Sequence, residues 1–185
     1  MTTIRMACEA DANALLEIYG PFCEKTAVSF ETAAPTPVEM GRRIRETLNK
    51  FPWLIAQRDG EMVGYAYASA HRQRAAYRWS VETTAYIREG LRRGGIGRTL
   101  YESLISILRR QGFYSALAGI TLPNPASVGF HEALGFKPVG VYRKIGYKLG
   151  AWHDVGWWQL ELQPYTVTPE EPRGLTKDKQ DLECL

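Results

Sequence analysis

The spacing of apolar residues changes period several times along the chain, and its first part predicts one strand followed by two helices. A short strand is predicted over residues 3–7, and Asp11 is placed to cap a helix whose apolar residues keep helical spacing. The pair Gly20-Pro21 is expected to bend or end that helix. Residues 36–39, Thr-Pro-Val-Glu, have the form of a capping box with proline at the first helical position, which predicts a second helix from Pro37 to about Lys50.

The middle of the chain predicts three strands. Two apolar, aromatic-rich runs at 53–57 and 62–70 are separated by Asp59-Gly60, a strong hairpin signal, so they predict an antiparallel pair. A third run, 79–87, is rich in β-branched and aromatic residues and stops at the glycine-rich segment 89–97. A helix is expected to follow that segment.

The last part of the chain predicts that helix, one more helix and three more strands. Apolar residues at intervals of three and four follow the glycine-rich segment, and Gly112 stands where a left-handed C-terminal cap is expected. The pattern then predicts a strand over 115–120, a helix over 127–135, and strands over 139–149 and 155–162. The alternation of the two element types predicts a mixed α/β (α+β) fold.

Composition fits one globular domain with a short appendage. The chain has 185 residues, of which 45% are hydrophobic and 23% are charged, so disordered, collagen-like and coiled-coil proteins are excluded. Residues 1–163 are interpreted as the domain. Residues 164–185 are polar and proline-rich, and they are expected to form a loosely held tail.

Charge and cysteine content predict a cytoplasmic protein without a nucleic-acid partner. The formal net charge of +3 is too small to argue for nucleic-acid binding. The three cysteines are scattered without a paired spacing, which suits reduced thiols rather than a disulfide framework. No apolar run reaches about 18 to 20 residues, and the N-terminus has no apolar leader, so no membrane segment is expected.

The segment 92–97, Arg-Arg-Gly-Gly-Ile-Gly, carries the first chemical signal. Between a strand and a helix it offers several backbone N–H groups at a positive helix terminus, which suits an anion such as a diphosphate. A Walker loop is excluded because no Lys-Ser or Lys-Thr follows the last glycine, and a dinucleotide fingerprint is excluded because Leu100 occupies its third glycine position. A plain strand-to-helix turn remains the alternative at this point.

Two motifs give the chain a resemblance to a known family. Arg92-x-x-Gly95-x-Gly97 resembles the acetyl-CoA loop, Q/R-x-x-G-x-G/A, of the GCN5-related N-acetyltransferase (GNAT) superfamily. Residues 124–136, NPASVGFHEALGF, are similar to the superfamily motif N-x-x-A-x-x-x-Y-E-x-x-G-F, with His131 where the general pattern has tyrosine. The order of the predicted elements also resembles that fold.

The resemblance is closer to the phosphinothricin N-acetyltransferase branch, which also acetylates methionine sulfoximine and similar amino acids. The similar stretches span nearly all of residues 3–162: AVSFE at 27–31, FPWLIAQRDGEMVGYAYA at 51–68, AYRWSVETTAYI at 76–87, HEALGF at 131–136 and WHDVGWWQLEL at 152–162. The branch itself carries histidine in the HEALG segment. The resemblance implies a mostly antiparallel sheet of about seven strands flanked by about four helices, acetyl-CoA as co-substrate, a small amino acid as acceptor, and a homodimer.

Glu82 is the candidate general base. Acetyl transfer needs a neutral amine, because an ammonium group has no lone pair with which to attack a thioester. Glu82 lies in an otherwise apolar or β-branched strand, and it matches the proposed catalytic glutamate of the branch in a W-x-x-E-x-T segment. The alternative is an exposed glutamate paired with an arginine such as Arg78.

His131 is the second candidate catalytic residue. At its position in the family motif it is expected to protonate the departing sulfur or to orient the substrate, and a packed side chain is the alternative. His71 and His153 show no spacing that would make a metal site with it, so no metal is expected.

The resemblance assigns two further sets of residues to the site. The co-substrate set follows the strand end, the glycine segment and the next helix: Ala85, Tyr86, Ile87, Arg92, Arg93, Gly94, Gly95, Ile96, Gly97, Arg98 and Asn124. The strand at 85–87 is expected to splay from the one ending near Ile120, which frees its amides for pantetheine and the acetyl carbonyl. The acceptor set comprises Phe30, Arg72, Arg74, Tyr77 and Thr84, in which the two arginines are expected to grip a carboxylate and a phosphinate or sulfoximine oxygen.

Three other functions stay open on the sequence alone. The first is acetylation of another amine, such as a protein N-terminus, and the second is a module that binds CoA without catalysis. The third is a nucleic-acid face formed by the arginines at 42–45 and 92–98. It is the least supported of the three, because the net charge is weak and aromatic and basic residues do not alternate.

Overall fold

The computed structural model describes residues 2–91 and 94–175 of the chain. Its helices and strands follow the order predicted from the sequence. The strands are β1 (Thr2–Met6), β2 (Trp53–Arg58), β3 (Glu61–Ala70), β4 (Ser80–Ile87), β5 (Ser115–Leu122), β6 (Lys137–Lys148) and β7 (Ala151–Glu161). The helices are α1 (Ala12–Lys25), α2 (Pro37–Leu48), α3 (Ile96–Arg110) and α4 (Pro125–Ala133).

The strands form a seven-stranded sheet in the order β1-β2-β3-β4-β5-β7-β6. β4 and β5 run parallel, whereas the other neighbouring strands are antiparallel. The predicted mixed, mostly antiparallel sheet with four helices is therefore confirmed. The predicted hairpin between β2 and β3 is also confirmed, since Asp59 and Gly60 both have positive φ, at 53° and 84°, as a tight hairpin turn requires.

The sheet has a hydrophobic core on each face. On one face, Leu100, Leu104 and Leu108 of α3 are fully buried in a cluster with alternate residues of the central strands. On the other face, α1 and α2 pack through Leu15 and Ile44, which are also fully buried. Because side chains alternate along a strand, the two faces of β4 contribute to opposite sides of the sheet. Strand β4 is thus held between two packed layers.

Two local expectations at α1 are wrong. Of the bend or end expected at Gly20-Pro21, the end is wrong: the helix continues to Lys25 with Pro21 inside it, because the residues after the proline, Phe22 and Cys23, are buried in the core. Asp11 makes no side-chain cap bond to α1. Its carboxylate instead accepts hydrogen bonds from the Cys8 amide at 2.8 Å and from the Arg5 guanidinium at 2.6 Å and 2.8 Å.

The first part of the predicted tail lies against the domain. The indole N–H of Trp79 donates to the Glu170 carbonyl at 2.7 Å, and the Arg173 amide donates to the Gln111 carbonyl at 2.7 Å. The Tyr165 hydroxyl lies 2.8 Å from Ser115 Oγ. These contacts place residues 164–175 along the start of β4 and β5, and their mobility stays a prediction. Residues 176–185, including Cys184, lie outside the described residues.

Within the two described ranges, no helix combines the length and the apolar character needed to cross a bilayer.

Candidate active site

The site is built around a gap in the middle of the sheet. β4 and β5 are paired only over Ser80–Glu82 and Ser115–Leu117. Beyond those pairs the strands separate, and the Thr83 hydroxyl donates to the Leu117 carbonyl at 3.2 Å where they part. The expected splay is therefore present, and it leaves the edge of β4 from Thr84 onward facing an opening instead of a neighbouring strand.

A cleft of about 830 Å³ opens at this gap. We call it the co-substrate cleft. Its walls come from β4, the start of α3, the end of β5, α4 and the loop after α1, and the lining residues include Val28, Ala85, Tyr86, Ile87, Gly95, Ile96, Gly97, Arg98, Tyr101, Asn124, Phe130, His131 and His153. The structure thus brings together Asn124, His131 and most of the predicted co-substrate set. Arg92 and Arg93 lie outside the described residues.

The glycine segment forms the N-terminal end of α3. Gly95 is the N-cap residue and has φ of 79°, a conformation that glycine adopts without strain. The first hydrogen bond of the helix runs from the Thr99 amide to the Gly95 carbonyl, so the preceding N–H groups of Ile96, Gly97 and Arg98 are those that a helix leaves unpaired. The arrangement has the local electrostatics predicted for an anion site.

Two residues near this helix end have partners within the protein. Arg98 forms an exposed ion pair with Glu102 at 3.4 Å. Asn124 is the N-cap of α4, where its side-chain oxygen accepts a hydrogen bond from the Ser127 amide at 3.1 Å. Asn124 therefore shapes the cleft by fixing the start of α4, and its role toward a ligand stays a prediction.

His131 is buried beneath the cleft and is hydrogen-bonded through both ring nitrogens. Nδ1 lies 2.8 Å from the Ser127 carbonyl oxygen, which can only accept, so Nδ1 carries the proton. Nε2 therefore accepts a hydrogen bond from the Tyr101 hydroxyl at 2.9 Å. Burial lowers the pKa of His131, which favours the neutral ring. In this arrangement the histidine presents no proton toward the cleft.

Glu82 lies at the last residue pair before β4 and β5 separate. Its Oε1 is 2.9 Å from His71 Nδ1 and 3.2 Å from Arg72 Nη1. The Glu82 side chain is 30% exposed and that of His71 only 14%. Trp157 completes the group, since the edge of its ring lies against His71 at 5.9 Å and the Arg72 guanidinium lies 5.9 Å from its centre. We call these four residues the Glu82 cluster.

The alternative of a Glu82–Arg78 ion pair is wrong, because Arg78 pairs with Glu171 instead. Glu82 does have an arginine partner, namely Arg72, and this contact by itself does not separate a structural role from a catalytic one. What distinguishes Glu82 from an ordinary paired glutamate is its position at the last residue pair before β4 and β5 separate.

The predicted acceptor residues lie in three places. Arg72, Arg74 and Tyr77 line a second cavity of about 330 Å³ with Arg78 and Glu171. Strand β3 ends at Ala70, and the turn that follows brings both arginines to one cavity. Thr84 lies two residues beyond Glu82 on the same face of β4, and Phe30 lies on the loop after α1, with its ring 6.3 Å from that of His153.

A buried lysine holds the loop that carries Phe30. Lys148, at the end of β6, is only 5% exposed, and its ammonium donates to the carbonyls of Ser29 and Glu31, both at 2.6 Å. Carbonyl oxygens offset the cost of burying the charge. The loop between α1 and α2 is thereby tied to the β6–β7 hairpin, across more than a hundred residues of sequence.

Three of these residues were missed by the sequence analysis. His71 was considered only as a metal ligand, and the β3–β4 hairpin register, which pairs Ser69 with Glu82, is the signal that places it near Glu82. Tyr101 lies beside the apolar stripe of α3 and resembles a core residue. Lys148 has no local signal. Among the described residues, no group of three or more His, Cys, Asp or Glu side chains is arranged to hold a metal ion.

Comparison with known proteins identifies relatives over most of the chain. The acetyltransferase (GNAT) domain model matches residues 4–157. The phosphinothricin N-acetyltransferase of Streptomyces viridochromogenes is 41% identical over 170 residues, which covers 91% of this chain and 93% of that protein. The L-methionine sulfoximine/L-methionine sulfone acetyltransferase of Pseudomonas aeruginosa is 33% identical and covers 90% of this chain and 98% of its own length.

A solved structure gives the same result for the fold. The crystal structure of a GNAT superfamily phosphinothricin acetyltransferase from Sinorhizobium meliloti in complex with AcCoA has a TM-score of 0.87 at 35% identity, and the match covers 92% of this chain and 94% of that one. These matches confirm the resemblance found in the sequence motifs and the fold that it implied.

Proposed function

We propose that this chain, which belongs to the acetyltransferase (GNAT) family, is an acetyl-CoA-dependent enzyme that acetylates the α-amino group of phosphinothricin, methionine sulfoximine or a related small amino acid. The observation that carries the proposal is the position of Glu82 at the point where β4 and β5 separate. Glu82 lies three residues before Ala85, which lines the co-substrate cleft, and its carboxylate contacts Arg72 of the predicted acceptor set.

The cleft offers suitable groups for the diphosphate, the pantetheine arm and the thioester of acetyl-CoA. The diphosphate would lie at the unpaired N–H groups of Ile96, Gly97 and Arg98, because a helix N-terminus favours an anion. The pantetheine arm would pair with the free edge of β4 between Ala85 and Ile87 in place of a strand. When bound, acetyl-CoA supplies an activated acyl group as a thioester, and the same edge offers N–H groups to the carbonyl oxygen as negative charge develops on it.

Glu82 is the group proposed to remove a proton from the acceptor ammonium. The freed nitrogen lone pair attacks the thioester carbonyl, the new C–N bond forms, and the C–S bond breaks with its electron pair on sulfur. The nitrogen loses its excess proton to solvent, and the departing CoA thiolate takes up a proton from solvent. His131 is proposed to orient Tyr101 instead of protonating the sulfur, because its Nδ1 proton is committed to the Ser127 carbonyl. This role is neither of the two predicted from the sequence, which were to protonate the sulfur or to orient the substrate.

The acceptor is proposed to bind near the Glu82 cluster. Arg72 and Arg74 offer planar donors to a carboxylate and a phosphinate or sulfoximine oxygen, and Tyr77 lines the same cavity. Phe30 and Thr84, which lie outside that cavity, are proposed as further contacts of the acceptor. The indole N–H of Trp157 is buried without a hydrogen-bond partner among the described residues, and an acceptor oxygen is a group that would satisfy it. The acceptors of the two relatives support a small, polar amino acid.

We also propose a homodimer located in the cytoplasm. β6 is an edge strand, and it exposes the apolar side chains of Val141, Tyr142, Ile145 and Tyr147 by 45 to 61%. A patch of this kind is typical of an interface. The free thiols of Cys8 and Cys23 suit a reducing compartment. Light scattering that gives the mass of one chain at micromolar concentration would contradict the dimer.

Steady-state kinetics test the activity and the base together. Release of CoA is followed with phosphinothricin, methionine sulfoximine, methionine sulfone, other amino acids and a peptide with a free N-terminus. We expect saturation with the first three acceptors and a loss in Glu82→Gln of roughly 100-fold in kcat, within the usual contribution of a general base. Glu89→Gln, a change at an exposed glutamate just beyond β4, is the matched control.

The outcomes separate the parts of this proposal. Preference for the peptide over all free amino acids would overturn the acceptor but not the acetyl transfer. Full turnover by Glu82→Gln would overturn the base. Binding of acetyl-CoA without CoA release for any acceptor would leave a binding module as the function.

A further inference from the structure

We propose that His71 is a positioning residue for Glu82, which holds one carboxylate oxygen so that the other faces the acceptor amine. The inference rests on the proposed role of Glu82 as base. It concerns a residue that the family motifs of the sequence did not assign to the site.

The hydrogen bond fixes the state of the histidine ring. An ionised carboxylate only accepts hydrogen bonds, so the 2.9 Å contact between His71 Nδ1 and Glu82 Oε1 requires the proton on Nδ1. The Nδ1–H tautomer is the less usual one for a free imidazole, and a carboxylate partner stabilises it. The state of the ring is therefore a measurable consequence of the contact.

The surroundings of His71 limit its movement. The ring packs edge-on against Tyr77 at 5.7 Å and against Trp157 at 5.9 Å, and its side chain is 14% exposed. Its backbone amide also donates to the Ser80 carbonyl at 3.4 Å, next to the first residue pair of β4 and β5. A ring packed from two sides and tied at its backbone is a rigid donor, which is what an oriented base requires.

The two oxygens of Glu82 have different environments. Oε1 receives both His71 Nδ1 and Arg72 Nη1, while no hydrogen bond reaches Oε2 within the described part of the chain. Arg72 alone would hold the carboxylate less firmly, because its side chain is 45% exposed and its contact is longer, at 3.2 Å. His71 is thus the better ordered of the two donors, and Oε2 is the oxygen left for the ammonium proton.

Two substitutions separate the donor from the ring. His71→Phe keeps an aromatic ring between Tyr77 and Trp157 but removes the donor. His71→Asn removes the ring but places an amide N–H close to the position of Nδ1. We expect His71→Phe to lower kcat about tenfold, as loss of one charge-assisted hydrogen bond to a reacting group does, with the KM for acetyl-CoA unchanged. His71→Asn should recover kcat to within about threefold of the wild type.

These kinetics can fail in distinguishable ways. Equal loss in both variants would show that ring packing matters and would overturn the inference, as would full activity in His71→Phe. If Glu82→Gln itself keeps full turnover, the base assignment fails and the positioning role fails with it. If Glu82→Gln loses turnover but His71→Phe does not, only the role of His71 is overturned. Thermal unfolding of each variant identifies any that fails to fold.

A second measurement needs no acceptor. In ¹⁵N-correlated NMR spectra of the wild-type protein, we expect the His71 ring to carry its proton on Nδ1. In Glu82→Ala it should shift toward the Nε2–H form, because the carboxylate that stabilises Nδ1–H is absent. A wild-type ring in the Nε2–H form would overturn the inference even if the natural acceptor were not among those assayed.

Discussion

The co-substrate cleft and the Glu82 cluster meet at the same gap in the sheet, but they are built from different parts of the chain. The cleft is formed largely by backbone amides, glycines and apolar side chains along β4 and the start of α3. The cluster consists of charged and aromatic side chains from the turn after β3, from β4 and from β7. Under the proposed function, the backbone of the cleft would bind the co-substrate that the family shares, and the side chains of the cluster would select the acceptor.

The strongest way to break this division is to place a charge in the cleft. Gly97→Asp puts a carboxylate on the first turn of α3, where a diphosphate would bind but where an acidic residue also stabilises a helix. We expect a folded protein with acetyl-CoA affinity reduced about 100-fold, which is about 2.7 kcal/mol, measured by calorimetry. The KM for the acceptor should change little.

Gly97→Asn is the control for this charge, because it adds a side chain of the same shape that is neutral. A built Cβ at Gly97 lies 3.4 Å from the Phe130 ring, so either residue requires a small adjustment. Equal loss in both variants would mean that space, not charge, is critical at this position, and would argue against a diphosphate site there.

A second substitution tests the part of the site proposed to bind the acceptor, by removing the lysine that holds the Phe30 loop. Lys148→Met leaves the carbonyls of Ser29 and Glu31 without their shared donor and frees the loop that carries Phe30. We expect a loss of about 2 kcal/mol in the free energy of unfolding, from urea titration, because two buried acceptors lose a charged partner. The acceptor KM should rise several-fold, whereas acetyl-CoA binding should be unchanged.

Lys137→Met, at an exposed lysine on the same strand, is the matched control. If Lys148→Met were as stable as this control, the lysine would not hold the loop. If Lys148→Met raised the KM values for both substrates equally, the co-substrate cleft and the acceptor region would not be independent of each other.

A smaller effect is expected on the pH dependence of stability, and it tests whether the buried His131 ring is neutral. Burial lowers the pKa of His131 in the folded protein from its ordinary value of 6.5. Below that pH the unfolded chain binds a proton that the folded protein does not, so stability is present above 6.5 and is lost as the pH falls through the folded-state pKa. The free energy of unfolding of His131→Gln should therefore decline less steeply below pH 6.5.

The two proteins should have parallel stability curves above about pH 7.5, where histidine is neutral in both the folded and the unfolded state. Parallel curves at pH 5 to 6.5 as well would show that His131 takes up a proton equally in both states.

The sequence predicted the cleft better than the cluster for a physical reason. The glycine segment and the motif at residues 124–136 are local features, each readable within about a dozen residues, and the resemblance they carry implied the free edge of β4. The Glu82 cluster joins residues from the turn after β3, from β4 and from β7, and Lys148 contacts carbonyls more than a hundred positions away. Such contacts depend on which distant segments meet in the fold, and the apolar pattern within one segment does not show that.

The fold was predictable in order but not in every local detail. All strands and helices appear where the hydrophobic pattern placed them, because each buries an apolar face. The expectation at Pro21 failed, because local propensity was outweighed by the burial of Phe22 and Cys23.

The divided sheet has a further consequence, which concerns how long the protein persists. Within the described sheet, its two halves are joined only by the pairs between Ser80–Glu82 and Ser115–Leu117. A ligand bound in the opening would therefore contact both halves and stabilise the junction between them, in addition to reacting there. A ligand that binds only the native state adds about 2.7 kcal/mol of protection at a hundred times its dissociation constant. The resistance of this protein to proteolysis would then rise and fall with the supply of its own acyl donor.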